Sequence, residues 1–143
     1  MQQSFRRDIR SLDEIFEFLD RQITPRNAEE APAYVLRLAV EELYTNMVKY
    51  NRGGDPEIRI GVEINGRAFT LTLTDCGGEP FDLTRAKEVD TLRPLEERPV
   101  GGLGIHLVRQ MVDDLQYTYS GRCGTVTVVK YRESPHVRDH RQG

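Results

Sequence analysis

The chain has 143 residues, the size of one ordinary domain, and a domain of that size can bury roughly 68–70% of its unfolded surface without staples. Its 38% hydrophobic and 30% charged residues exclude a disordered or fibrous chain. Twenty basic and 23 acidic side chains give a formal charge of -3, a mild acidity that does not favour a nucleic-acid surface. No apolar run approaches the roughly 20 residues of a membrane helix, and MQQSFRRDIRSLDEIFEF lacks the apolar core of a signal peptide. Cys76 and Cys123 fit a reducing cytoplasm and no disulfide scaffold. Three histidines, two of them in a polar tail, do not make a zinc site.

Residues 4–10 suggest a short edge strand. A helix is expected from Ser11, because Ser11 and Glu14 have capping-box spacing and Leu12, Ile15, Phe16, Leu19 and Ile23 form one apolar stripe. After a break from Thr24 to Pro32, a second helix runs to about Tyr50 on the stripe Leu36, Val40, Leu43 and Met47. Two strands follow. Ile58, Ile60, Val62 and Ile64 alternate with polar or small residues, Asn65-Gly66 signals a tight hairpin, and Phe69, Leu71 and Leu73 alternate with threonines up to Asp75. Residues 76–102 have no period, which points to a functional lid or a loop. A third helix from about Leu103 to Asp113 and two strands near 115–119 and 125–131 complete the order. The pattern β-α-α-β-β-lid-α-β-β predicts an α+β fold: a two-layer sandwich of a mixed, mostly antiparallel sheet with helices on one face. Strict βαβ alternation is absent, which argues against a doubly wound nucleotide fold.

Three features could make one site. Glu42 and Asn46 are four apart on the second helix, with Lys49 continuing the face. A carboxylate, an amide and an ammonium in line suit a general base, a magnesium ligand and a phosphate contact. Taken alone, that spacing is commonplace on a solvated helix. Asp75 falls on the core side of its strand, where a carboxylate is costly unless hydrogen-bonded. It stands just before Gly77-Gly78, where it could accept from an exocyclic amine such as that of adenine, or simply bond its own loop backbone. Gly101-Gly102-Leu103-Gly104-Ile105-His106 leads directly into a helix, whose free N–H groups and dipole favour an anion. It is not a Walker loop, and it lacks the third glycine of a dinucleotide fingerprint.

In that order the three features resemble the GHKL (Bergerat-fold) ATP-binding superfamily, and more closely the bacterial anti-sigma-factor serine/threonine kinases. AVEELYTNMVKY resembles the N-box, TDCGGEPFD the adenine-binding box, and RPVGGLGIHLVRQMVDDLQYTY with GTVTVVKY the phosphate loop and closing strand. The resemblance implies Glu42 as catalytic base, Asn46 as magnesium ligand and Lys49 as a phosphate contact. It implies Asp75 and Gly77 at adenine, with Gly102, Leu103, Gly104, Ile105 and His106 at the phosphates. Thr125 is implied as a support of the adenine site from the last strand. Two departures predict local loop changes: the segment from Asp75 to Phe81 is one residue longer than the commonest form, and Leu83 replaces a frequent proline.

The resemblance further implies ATP and Mg2+ as cofactors, a lid at about 83–100 and cytoplasmic localisation. The implied activity is phosphorylation of a STAS-type anti-sigma factor antagonist, with a sigma factor inhibited by binding across a homodimer. No direct nucleic-acid or membrane partner is expected. The domain would occupy residues 1–132 and a flexible tail 133–143, so any signal would arrive through a partner protein. The competing expectation is a nucleotide-gated binding module without kinase activity. Glu42 favours the kinase, since a pure binder needs no base there.

Overall fold

The computed structural model describes residues 1–23, 30–51, 53–80 and 102–132. The expected lid and tail lie outside the described residues. Strand β1 (Gln2–Arg6) leads through a 3-10 turn (Ile9–Ser11) into α1 (Leu12–Ile23). Helix α2 (Glu30–Tyr50) precedes the hairpin β2 (Glu57–Ile64) and β3 (Ala68–Cys76). Helix α3 (Gly102–Met111) then precedes β4 (Asp114–Ser120) and β5 (Cys123–Tyr131).

The strands form one sheet in the order β1-β2-β3-β5-β4. Every pairing among the described residues is antiparallel, so the expected mixed sheet narrows to an antiparallel one. Strand alternation decides which face is covered. Ile58, Ile60, Leu71, Leu73, Val126 and Val128 are fully buried on one face, in one cluster with Leu36, Val40 and Leu43 of α2 and Ile15 and Leu19 of α1. The opposite face carries Thr70, Thr72 and Thr74 of β3 beside Thr125 and Thr127 of β5, all partly exposed. β-branched hydroxyl residues suit a pleated surface that meets water.

Two local expectations change. Ser11 does not cap α1: its hydroxyl donates to the Arg6 carbonyl at 2.8 Å. Asp8 opens the preceding 3-10 turn instead, accepting from the Arg10 N–H at 2.9 Å. Hydrogen bonds from the exposed Arg10 lower the Asp8 carboxyl to about 2. The β2–β3 turn is centred one residue later than Asn65-Gly66 suggested. The Asn65 N–H reaches the Ala68 carbonyl (3.1 Å), and the Asn65 side chain accepts from the N–H groups of Arg67 and Ala68. Between β4 and β5, Gly121 and Arg122 both have positive φ (58° and 61°), the geometry of a two-residue turn that keeps the hairpin twist.

The bend after β1 is anchored to α2 by Tyr44, which is fully buried. Its hydroxyl donates to the Arg6 carbonyl and accepts from the Asp8 N–H at 3.2 Å. That anchor fixes where the next side chain, Arg7, enters the interior.

Candidate functional site

Helix α2 carries the first group of expected site residues. Glu42 is half-buried, Asn46 is 3% exposed one turn further on, and Lys49 is exposed near the end of the helix. Burial pushes the Glu42 carboxyl above its ordinary 4.5, the neighbouring Glu41 charge adds to the rise, and the Lys49 charge opposes it. Sequence spacing thus translates into an electrostatic group: a carboxyl biased toward holding a proton, with a cation in its field. The Asn46 amide oxygen is a hard donor of the kind magnesium takes.

Asp75, near the end of β3, is 7% exposed on the helix-covered face. Its carboxylate is held by Arg7, which pairs both oxygens, and by Asn51, whose amide donates to Oδ2 at 2.6 Å. Asn51 lies just beyond α2, five residues after Asn46, so the two are roughly 7 Å apart along the axis at 1.5 Å per residue. Glu42 lies roughly 13 Å back by the same rise. One helix therefore sets the separation between Asn51, which holds the Asp75 carboxylate, and the candidate base Glu42. A ligand that touches both must be elongated.

Asp75 lines a small cavity with Met47, Asn51, Glu79, Tyr117, Tyr119 and Gly124. Its volume is about 20 Å³, room for one water. The residues present fit a purine edge in chemistry, and a base seated there would require the cleft between Met47 and the tyrosines to widen. The Tyr119 hydroxyl donates to the Gly78 carbonyl at 3.0 Å, closing one side. Gly124 has no Cβ because one would stand 2.9 Å from the Tyr117 hydroxyl. Gly77 turns the chain away from β3 with φ 87°, and its N–H donates to the Arg122 carbonyl at 2.9 Å.

Gly102 opens α3, with Leu103 and Gly104 in its first turn, and α3 packs on α2. The first four N–H groups of a helix have no partner within it, which suits an anion. Ile105 is buried in the core and His106 is exposed.

Two expectations are corrected here. Thr125 does not reach the Asp75 side of the sheet. In the β3–β5 register Asp75 faces Gly124, while Thr125 faces Thr74, and their hydroxyls lie 3.2 Å apart on the opposite face. The cysteines are paired as well. The same register sets Cys76 opposite Cys123, with Cα atoms 4.0 Å apart, and the two form a disulfide on that outer face. Paired in this way, the cysteines give no sign of a reducing compartment. Arg7, Asn51, Tyr117 and Tyr119 were not anticipated as site residues. Only the asparagine at a helix end, followed by glycines, carried any local signal.

The model of the histidine kinase-like ATPase domain matches residues 5–130. Curated relatives include the serine-protein kinase RsbW of Listeria monocytogenes, 32% identical over 111 residues that cover 73% of this chain and 69% of that one. RsbW of Bacillus thuringiensis is 28% identical over 109 residues, covering 73% and 67%. Among solved structures, the Acinetobacter baumannii histidine kinase AdeS superposes with a TM-score of 0.51 at 15% identity, covering 94% of this chain and 68% of that one. That likeness bears on the fold.

Proposed function

Because the chain belongs to the family of histidine kinase-like ATPase domains, in the branch that holds the RsbW serine-protein kinases, we propose that it is an ATP- and magnesium-dependent serine/threonine protein kinase. Its proposed substrate is a STAS-type anti-sigma factor antagonist, and the protein is proposed to inhibit a sigma factor by binding it, as a homodimer in the cytoplasm. The observation that carries this reading is Glu42: a half-buried carboxyl raised above its ordinary value, one turn from Asn46 on the helix whose end abuts Asp75.

In this reading Asp75 accepts from the adenine amine, and the N-terminus of α3, from Gly102 to His106, receives the phosphates. Asn46 holds the metal, and Lys49 adds positive charge beside Glu42. Bound magnesium supplies charge neutralisation across the phosphate oxygens. Glu42 takes the proton from the acceptor Ser or Thr hydroxyl as its oxygen attacks. A base of this kind contributes about 10²–10⁴-fold. Phosphoryl transfer otherwise needs placement and charge stabilisation more than covalent chemistry from the protein. The lid expected at 83–100 would exclude water; it lies outside the described residues.

The test is incubation with labelled ATP, magnesium and a candidate antagonist. The wild type should transfer an acid-stable phosphate to Ser or Thr, and Glu42→Ala should lose transfer while still binding ATP. A wild type that binds ATP and a sigma factor but phosphorylates no antagonist would replace the kinase with a nucleotide-gated binding module.

A further inference from the structure

Arg7 is the most deeply committed cation among the described residues. It follows the edge strand β1, yet only 9% of its side chain is exposed, against 6% for Asp75. Nη2 pairs with Asp75 Oδ1, and Nη1 reaches Oδ2 at 3.3 Å. Nε donates to the Asp55 carbonyl at 2.7 Å, and Nη1 to the Asn51 carbonyl at 3.1 Å. Gly54 closes the backbone over the group: a Cβ there would collide with the guanidinium. Displacing Arg7 would break all of these contacts at once, so it is built into the site and does not act as a removable plug.

We propose that Arg7 is a specificity-determining residue of the nucleotide site: it holds the Asp75 carboxylate in one orientation with a single acceptor position open, and so selects an amine over a carbonyl at the purine 6-position. This rests on the reading of Asp75 as the base-binding group. A carboxylate has about four acceptor positions. Arg7 and Asn51 fill both on Oδ2, and Arg7 fills one on Oδ1. One acceptor position remains, on Oδ1, in a residue that lines the cavity. An exocyclic amine satisfies it. A carbonyl in the same place sets oxygen against oxygen with no proton between them. Arg7 enforces that choice because its guanidinium only donates and, by pairing with both oxygens, fixes how the carboxylate is turned. Without it, the carboxylate keeps only Asn51 and can rotate. The one aligned acceptor is then lost, and the discrimination goes with it.

The experiment compares binding of ATP and inosine triphosphate, which differ at the 6-position and in the proton inosine carries on the adjacent N1, to the full chain with magnesium. The wild type should prefer ATP by roughly 10- to 100-fold, the worth of one charged hydrogen bond. Arg7→Met should weaken ATP binding and bring the two nucleotides to near-equal affinity. Arg7→Lys, which restores a cation, should recover the preference. Arg7→Gln, which keeps a donor for the backbone carbonyls, takes the place of Arg7→Met if the apolar variant does not fold. A neutral variant that weakens both nucleotides equally would mark Arg7 as merely structural and overturn the proposal. A neutral variant that binds ATP more tightly would show the guanidinium competing with the base, and would also overturn it. A wild type that binds neither nucleotide would instead overturn the nucleotide site itself.

Discussion

Reduction of the Cys76–Cys123 bridge should lower stability by a calculable amount. The two cysteines are 47 residues apart, and the intervening chain includes α3 and β4. In the chain-entropy treatment, closing a loop of that length restrains the unfolded chain by about 4 kcal/mol. The native state loses little on reduction, because β3 and β5 remain paired through the whole register from Ala68–Tyr131 to Cys76–Cys123. At about 2–4 °C per kcal/mol for a domain of this size, the melting temperature should fall by about 8–16 °C. Far-UV circular dichroism melts with and without dithiothreitol measure this directly. The Cys76→Ser/Cys123→Ser double variant should match the reduced wild type and ignore the reductant. Two reactive thiols in the unfolded, unreduced protein, or identical melts in both buffers, would refute the bridge and the loop argument together.

Three further outcomes are expected. Tyr44→Phe leaves the Asp8 N–H without its buried partner and the Arg6 carbonyl with Ser11 alone; chemical denaturation should show a loss of about 1–3 kcal/mol. Gly77→Ala should destabilise by a similar amount, since φ is 87° and the new Cβ would lie 3.1 Å from the Asp55 backbone nitrogen; a neutral melt would count against the turn. Glu42 has a carboxyl raised above 4.5, so it contributes stability below its unfolded value that is lost as pH rises through its folded one. Phosphate transfer runs the opposite way, rising with pH through that same folded value. Lys49→Ala removes the charge that lowers it and should shift the acidic limb of the rate profile to higher pH. A limb that stays in place would exclude Glu42 as the base.

The sequence was most informative where one local pattern decided the outcome. The stripe Leu36, Val40, Leu43 and Met47 is buried as its spacing demands, and alternation in β3 placed Asp75 on the covered face. The two errors at the site, Thr125 and the cysteines, share one cause, strand register. Whether Thr125 or Gly124 faces Asp75 depends on one residue in the β4–β5 turn and the β3–β5 pairing, and a slip of one flips every side chain. The same register brings the cysteines together, which their count could not reveal. Arg7 is 68 residues from Asp75, and no local pattern in RRDIR announces that its second arginine turns inward. Tyr117 and Tyr119 read as ordinary strand residues until β4 is laid beside β5.

Strand β1 has a neighbour on one side only, yet the residue just after it holds Asp75. Edge strands open at lower cost than interior ones and accept competing strands. Peeling β1 from β2 would have to break the Tyr44 anchor and the Arg7 contacts as well, so this rim strand is pinned from its C-terminal end. The Asp75 carboxylate is thereby tied to the docking of a five-residue strip at the rim of the sheet.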